Sequence, residues 1–147
     1  MHQSEREEAW ENLVSLLHEI DRAVDVLIVE GPGDEGALKA LGIQKPMFRG
    51  SHLWNQADMI ETIAQRFGRV LVLTDFDREG RSLNRRLTGT LEKRGLRVEK
   101  GYRKELGKLL GQLSISTIES LAKREELFFR VRAKRSEPRE REVAGRR

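Results

Sequence analysis

The sequence predicts an α/β fold with a parallel sheet covered on both faces, and three observations carry that prediction. Two apolar, β-branched runs, VDVLIVE at 24–30 and RVLVLTD at 69–75, are too short for lone helices and suit strands buried on both sides. Segments of helical periodicity stand between and after these runs. Strands that alternate with helices in this way build parallel sheets.

The elements follow in order. Residues 5–21 predict a helix, because Trp10, Leu13, Val14, Leu17 and Ile20 recur at helical spacing with Glu7, Glu8 and Glu11 off that stripe. Residues 24–30 form the first strand. A helix is expected from about Asp34 to Leu41, with Ala37, Leu38 and Leu41 inward and Gly42 as its stop. KPMFRG at 45–50 reads as a short strand. Residues 55–67 read as a helix with Met59, Ile60 and Ile63 inward, ended by Gly68. The strand at 69–75 is the strongest in the chain. It leads into a helix from about Arg78 to Arg94, where Leu83, Leu87 and Leu91 share a stripe and Gly95 ends it. LRVE at 96–99 is the expected fourth strand. Helices are then expected over Lys104–Leu110 and Thr117–Leu127, the second opened by a capping box of Ser116 and Glu119. The resulting division is an N-terminal helix at 1–22, a core domain at 23–112, a C-terminal helix at 113–130 and a basic, disordered tail at 131–147.

The chain has 147 residues, 35% of them charged, and no cysteine. That composition leaves no disulfide framework, no thiol nucleophile and no cysteine zinc site. The start, MHQSEREEAW, lacks the basic and apolar regions of a signal peptide, and no apolar run reaches membrane length, so a cytoplasmic protein with no membrane partner is expected. The net charge of +4 is unevenly spread. Residues 78–104 hold ten Lys/Arg against three Asp/Glu, and residues 128–147 hold eight against three. Two basic blocks on an otherwise acidic body point to a polyanionic partner, nucleic acid above all.

Two motifs carry chemistry. In VEGPGDEGAL (29–38), Gly31, Gly33 and Gly36 fit the glycine spacing of a dinucleotide-binding turn. Such a site needs an acid about 20 residues later for the ribose, and FRGSHL at 48–53 has none. Glu30 would also face the pyrophosphate without a cation between them. The second motif is LTDFDREG (73–80), which sets Asp75 at a strand tip, Asp77 two residues on and Glu79 in the following helix. Clustered acids raise one another's pKa, and a hard divalent cation removes that cost. Asp77 and Glu79 also suit a helix N-cap and first turn, with Asp75 an ordinary strand-end acid. Arg78, Arg81 and Arg85 fall on one helix face at spacings of three and four, placed for phosphate or as a solvated basic face.

A strand ending in Glu-Gly and a later strand ending in D-x-D-x-E-G resemble the Toprim domain. That domain is shared by type IA and type II topoisomerases, bacterial-type primases, overcoming-lysogenization-defect nucleases, recombination mediators and the 5S ribosomal RNA maturation nuclease. The resemblance covers about residues 24–100 and is closest to small stand-alone archaeal and bacterial members. It implies a Rossmann-like sandwich with a four-stranded, mainly parallel sheet flanked by helices. It also implies a site in which Glu30 is a general acid/base or metal ligand and Asp75 and Asp77 bind one or two Mg²⁺, with Mn²⁺ able to substitute. Gly31, Asp34, Glu79 and Ser51 are possible accessory residues. Many members read Glu-Gly-Lys in the first motif, where this chain has Pro32, and Arg78, Arg81 and Arg85 are the cations at hand to compensate.

Toprim chemistry makes or breaks phosphodiester bonds. The single tyrosine, Tyr102, lies beyond the fourth strand, and the chain is too short to carry the added domains of a topoisomerase or primase. The expected function is therefore a small Mg²⁺-dependent nuclease acting on structured RNA, in the manner of the ribosomal RNA maturase, or on DNA. The alternative is a non-catalytic metal- and nucleic-acid-binding module of a larger assembly, with the basic tail as a docking element for RNA or protein. His2, His18 and His52 suit no zinc motif. Trp10 is expected in the core, and Phe128 and Phe129 are expected to close the last helix against the body.

Overall fold

The computed structural model describes residues 2–53, 57–126 and 129, with the side chains of Ser51 and His52 left out. The tail at 131–147 and Phe128 therefore lie outside the described residues. The elements run α1 (Gln3–Ala23), β1 (Val26–Val29), α2 (Pro32–Ala40), β2 (Met47–Arg49), α3 (Gly50–Leu53), α4 (Ala57–Arg66), β3 (Arg69–Leu73), α5 (Arg78–Lys93), β4 (Arg97–Val98) and α6 (Lys100–Gln112). Residues 121–126 add a short helical stretch.

All four strands are parallel, in the order β2-β1-β3-β4. Because side chains alternate across a strand, the two central strands divide their apolar residues between two cores. Leu27, Val29, Leu71 and Leu73 face α1, α2 and α6, where Trp10, Leu17, Leu38, Leu106 and Leu110 are buried. Val26, Ile28, Val70 and Val72 face α4 and α5, against Ile60, Ile63, Leu87 and Leu91. Trp10 is thus a core residue, and Phe129 packs on the first of these cores.

Acidic side chains stitch the loops at the amino ends of the strands. Asp25 Oδ2 accepts the amides of Gly68 at 3.0 Å and Arg69 at 2.8 Å, which holds the start of β3 beside β1. Asp21 Oδ1 does the same for Gln44 and Lys45 ahead of β2.

Several boundaries differ from expectation. α2 begins two residues early because Pro32, whose missing N–H and fixed φ suit the first helical position, opens it. α6 begins at Lys100 and not Lys104, since the chain turns out of β4 directly into helix. Met59 is 38% exposed on α4, leaving Ile60 and Ile63 to make the contact. The capping box at Ser116 does not form. Residues 115–117 are irregular and 118–120 are a bend and turn, because their backbone polar groups are bound elsewhere, as described next.

Candidate functional site

In an open parallel sheet, a crevice opens at the carboxyl ends of the strands where the chain reverses its direction of travel across the sheet. Here that point lies between β1 and β3: from β1 the chain moves outward through α2 to β2, and from β3 it moves the other way through α5 to β4. α2 packs on one face and α5 on the other. Val29 and Leu73 are register partners, so the next residues to leave the sheet there belong to the two acidic motifs.

Glu30 and Asp75 meet directly. Glu30 Oε1 accepts the Asp75 amide at 3.0 Å. Asp75 Oδ1 accepts the Ile118 amide at 2.9 Å, while the Phe76 amide donates to the Ser116 carbonyl at 3.1 Å. Asp34 is almost wholly buried, and its Oδ2 accepts the amides of Glu30 at 3.1 Å and Gly31 at 3.0 Å. The Glu119 amide donates to the same carboxylate. The segment 116–119, expected to open a helix, is instead sewn to both acidic loops. Its amides serve Asp75 and Asp34, which explains the missing capping box.

Asp77 caps α5, its Oδ1 accepting the Gly80 amide at 2.8 Å. Arg78 and Glu79 are exposed in the first turn. Gly80 is buried and lies so close to the backbone of Asp75 that a Cβ there would overlap the Asp75 carbonyl oxygen. Thr74, fully buried, donates its hydroxyl to the Gly80 carbonyl at 2.5 Å and completes the clamp between β3 and α5. Gly33 makes room for a neighbour, since a Cβ there would run into the Glu119 side chain. Ser51 sits on the short α3 that follows β2; its side chain is outside the described residues.

Arg103, on α6, was not legible as a site residue. Its guanidinium donates to the carbonyls of Val72 at 3.2 Å, Thr74 at 2.8 Å and Asp75 at 3.1 Å, and it lies 4.3 Å from the Phe76 ring centroid. β4 pairs only with Arg69 and Val70, so Arg103 takes over where that strand ends. Spacing gives no signal for such a residue, because most of its partners are main-chain carbonyls.

The electrostatics follow from this crowding. Burial pushes the Glu30 carboxyl up from its ordinary value; the Asp75 amide pulls it back, and the charges of Asp75, Asp34 and Asp77 add to the rise. Asp75 is raised chiefly by burial, with the Ile118 amide opposing and Asp34 and Asp77 adding repulsion. Asp34 is raised for the same leading reason. Burial holds Arg103 down to about 10, so it stays charged at neutral pH, and Glu30 and Asp75 favour that charge.

The donors are carboxylate oxygens, the hard ligands magnesium prefers. Among the described residues, however, no three Asp, Glu or His side chains are gathered tightly enough to enclose an ion. The arrangement fits a cation that keeps most of its water and takes one or two carboxylates, as Mg²⁺ does, and does not fit a closed cage. Glu30 and Asp75 are the adjacent pair; Asp77 stands apart as the cap of α5.

Comparison with known proteins agrees with this fold. The Toprim domain family matches residues 25–105. A UPF0292 protein of Thermococcus onnurineus is 41% identical over 118 residues, covering 80% of this chain and 84% of that one. A UPF0292 protein of Pyrococcus horikoshii is 34% identical over 122 residues, covering 83% and 86%. A solved structure of a protein from Aquifex aeolicus shares the fold with a TM-score of 0.55 at 23% identity, over 75% of this chain and 95% of that one. Toprim domains bind divalent metals such as Mg²⁺ and serve metal-dependent processing of nucleic acids. Matched across more than half its length, and over 30% identical to relatives along most of both chains, this chain belongs to the Toprim family, among the UPF0292 proteins.

Proposed function

We propose that the protein is a small Mg²⁺-dependent phosphodiesterase that cleaves structured RNA, with DNA as the second candidate substrate. The observation that carries this reading is the meeting of Glu30 and Asp75 at the sheet's switch point, where the Glu30 carboxylate accepts the Asp75 main-chain amide and burial raises both carboxyls. Bound Mg²⁺ would supply Lewis acidity and a water activated for attack on phosphorus. Glu30 and Asp75 would hold it, with Asp77 within electrostatic range. Where Asp75 alone holds the ion, Glu30 is the neighbouring carboxylate at hand to take a proton from the attacking water and return one to the leaving oxygen. Gly31 and Asp34 act on that group indirectly: the Asp34 carboxylate fixes the Glu30–Gly31 turn from which the side chain projects. Arg81 and Arg85, one helical turn apart on α5, supply positive charge for the phosphates, with Arg78 at the start of the same helix.

A second reading, a module that binds metal and nucleic acid without turnover, draws on two features. Asp75 commits one carboxylate oxygen to Ile118, and Pro32 stands where many Toprim domains carry lysine. The basic tail would then serve to dock RNA or protein.

End-labelled structured RNA and DNA, incubated with Mg²⁺ or Mn²⁺, separate these readings. Cleavage by the wild type that is lost in both Glu30→Gln and Asp75→Asn is the expected result. Cleavage that survives both substitutions removes the site from the chemistry. Binding without cleavage favours the second reading.

A further inference from the structure

A cavity of about 810 Å³ opens between α5 and α6, along the edge where β4 stops short. None of the acids assigned above lines it, and its reading as a binding site rests on the proposed nucleic-acid function. Its floor is apolar, with half-buried Val98 beside the buried Val72 and Ile115. Cations stand on both walls, Arg81 and Arg85 from α5 and Lys100 and Lys104 from α6, and the two carboxylates that also line it are each paired, Glu92 with Lys100 and Glu99 with Arg69. Among the described residues, Arg81, Arg85 and Lys104 make no ion pair, whereas Lys100 is held by Glu92 at 3.1 Å. The basic block at 78–104 is therefore not spread evenly over the surface, since a large part of its unneutralised charge borders one cleft.

Two further features say what fits there. Gly89 and Gly111, on opposite walls, have no atom within 4 Å of the position a Cβ would take, so the cleft stays open at their level. At the end nearest the acids, Phe76 and the Arg103 guanidinium are stacked, with the ring seated in space that a Cβ at Gly107 would block. Carbonyls on β3 and its end fix the guanidinium plane, which prepares this wall to continue the stack with another planar group. An apolar floor, a planar stack and cationic rims are what a single strand requires, because its bases seek aromatic or apolar surface while its phosphates stay in water beside Lys and Arg. From Arg81 to Glu92 the wall runs about 16 Å at 1.5 Å per residue, room for a few nucleotides.

We infer that the α5–α6 cleft binds a single-stranded nucleic-acid flank and leads it to the Glu30–Asp75 site, so that the preferred substrate is a folded RNA with an unpaired extension. The basic tail of this chain is a poor occupant, since like charges would face one another.

The test is fluorescence anisotropy in EDTA with the full chain, using a labelled hairpin with a single-stranded extension and the same hairpin blunt-ended. Gly111→Trp fills the cleft without changing charge, and Lys104→Glu reverses a charge on its rim. Gly111→Trp should weaken binding of the extended hairpin by about tenfold or more and leave the blunt one unchanged. Lys104→Glu should lower the salt dependence of extended-hairpin binding by about one unit of slope. Circular dichroism melts confirm that both variants fold. Unchanged binding by Lys104→Glu and by a folded Gly111→Trp overturns the inference, as does equal loss for both hairpins. Competition by polyglutamate as strong as by unlabelled oligonucleotide also overturns it, by pointing to an acidic protein. Selective binding in EDTA with no cleavage in Mg²⁺ keeps the cleft and refutes the phosphodiesterase; cleavage with no groove effect does the reverse.

Discussion

Gly80→Ala is a severe test of how the site is held. The added methyl would overlap the Asp75 carbonyl oxygen, 2.5 Å from the carbonyl carbon and 2.9 Å from Cα. All three atoms are backbone, so no side-chain rotation relieves the clash. Either the start of α5 moves or Asp75 does. Overpacking of this kind costs about 1–3 kcal/mol. Movement of α5 also weakens the Asp77 cap and the Thr74 hydroxyl bond, each worth about 1 kcal/mol. Alanine's better helix propensity returns at most about 1 kcal/mol. The net expectation is a loss of about 3 kcal/mol, which in a domain of this size lowers the melting temperature by about 10 °C. Urea and thermal unfolding followed by circular dichroism measure it. Gly36→Ala is the matched control, since nothing lies within 4 Å of its Cβ position in α2, and it should be neutral or stabilising by about 0.5–1 kcal/mol. A Gly80→Ala protein that melts with the wild type would refute the close seating of α5 on Asp75.

Further outcomes follow from the same contacts. Glu30, Asp34 and Asp75 bind protons more tightly folded than unfolded, so the stability they lend is full below the ordinary carboxyl range and is lost as pH rises through their raised values. Asp75→Asn keeps an oxygen for the Ile118 amide and removes the charge; in EDTA it should therefore gain on the wild type as pH rises, and coincident pH–melting curves would sink this expectation. Arg103→Met strips donors from three carbonyls and should cost about 2–4 kcal/mol in urea unfolding, with Arg103→Lys recovering part of it. Asp34→Ala removes the acceptor for Glu30 and Gly31 and should cost about 1–2 kcal/mol, with a matching loss of any cleavage, measured by unfolding and by turnover on RNA.

Apolar patterning made β1, β3, α1 and α5 legible: burial on both sheet faces leaves an unbroken apolar run in the strands, and helical spacing marks the inner stripes of α1 and α5. The acids at the strand tips were legible for a topological reason: adjacent parallel strands deliver their last residues to one place. Long-range main-chain bonds were not legible. Asp34 reads as a helix first-turn acid, yet it also takes the amide of Glu119, 85 positions away in the chain. Ser116 and Glu119 match a capping box locally, and tertiary acceptors for the 118 and 119 amides overrode it. Pro32 looks like a departure from a phosphate-binding loop and is also an ordinary first residue of α2.

The brevity of β4 has a consequence beyond the site. Past Val70, one margin of β3 has no neighbouring strand among the described residues, and an open margin of that kind is a template on which another chain can add a strand. Arg103 occupies the carbonyls of Val72 and Thr74 that such a strand would need, and it brings a charge that an incoming backbone would have to displace. One side chain thus fills acceptor sites that an added strand would use. The residue that orders the mouth of the cleft also blunts this margin of the sheet.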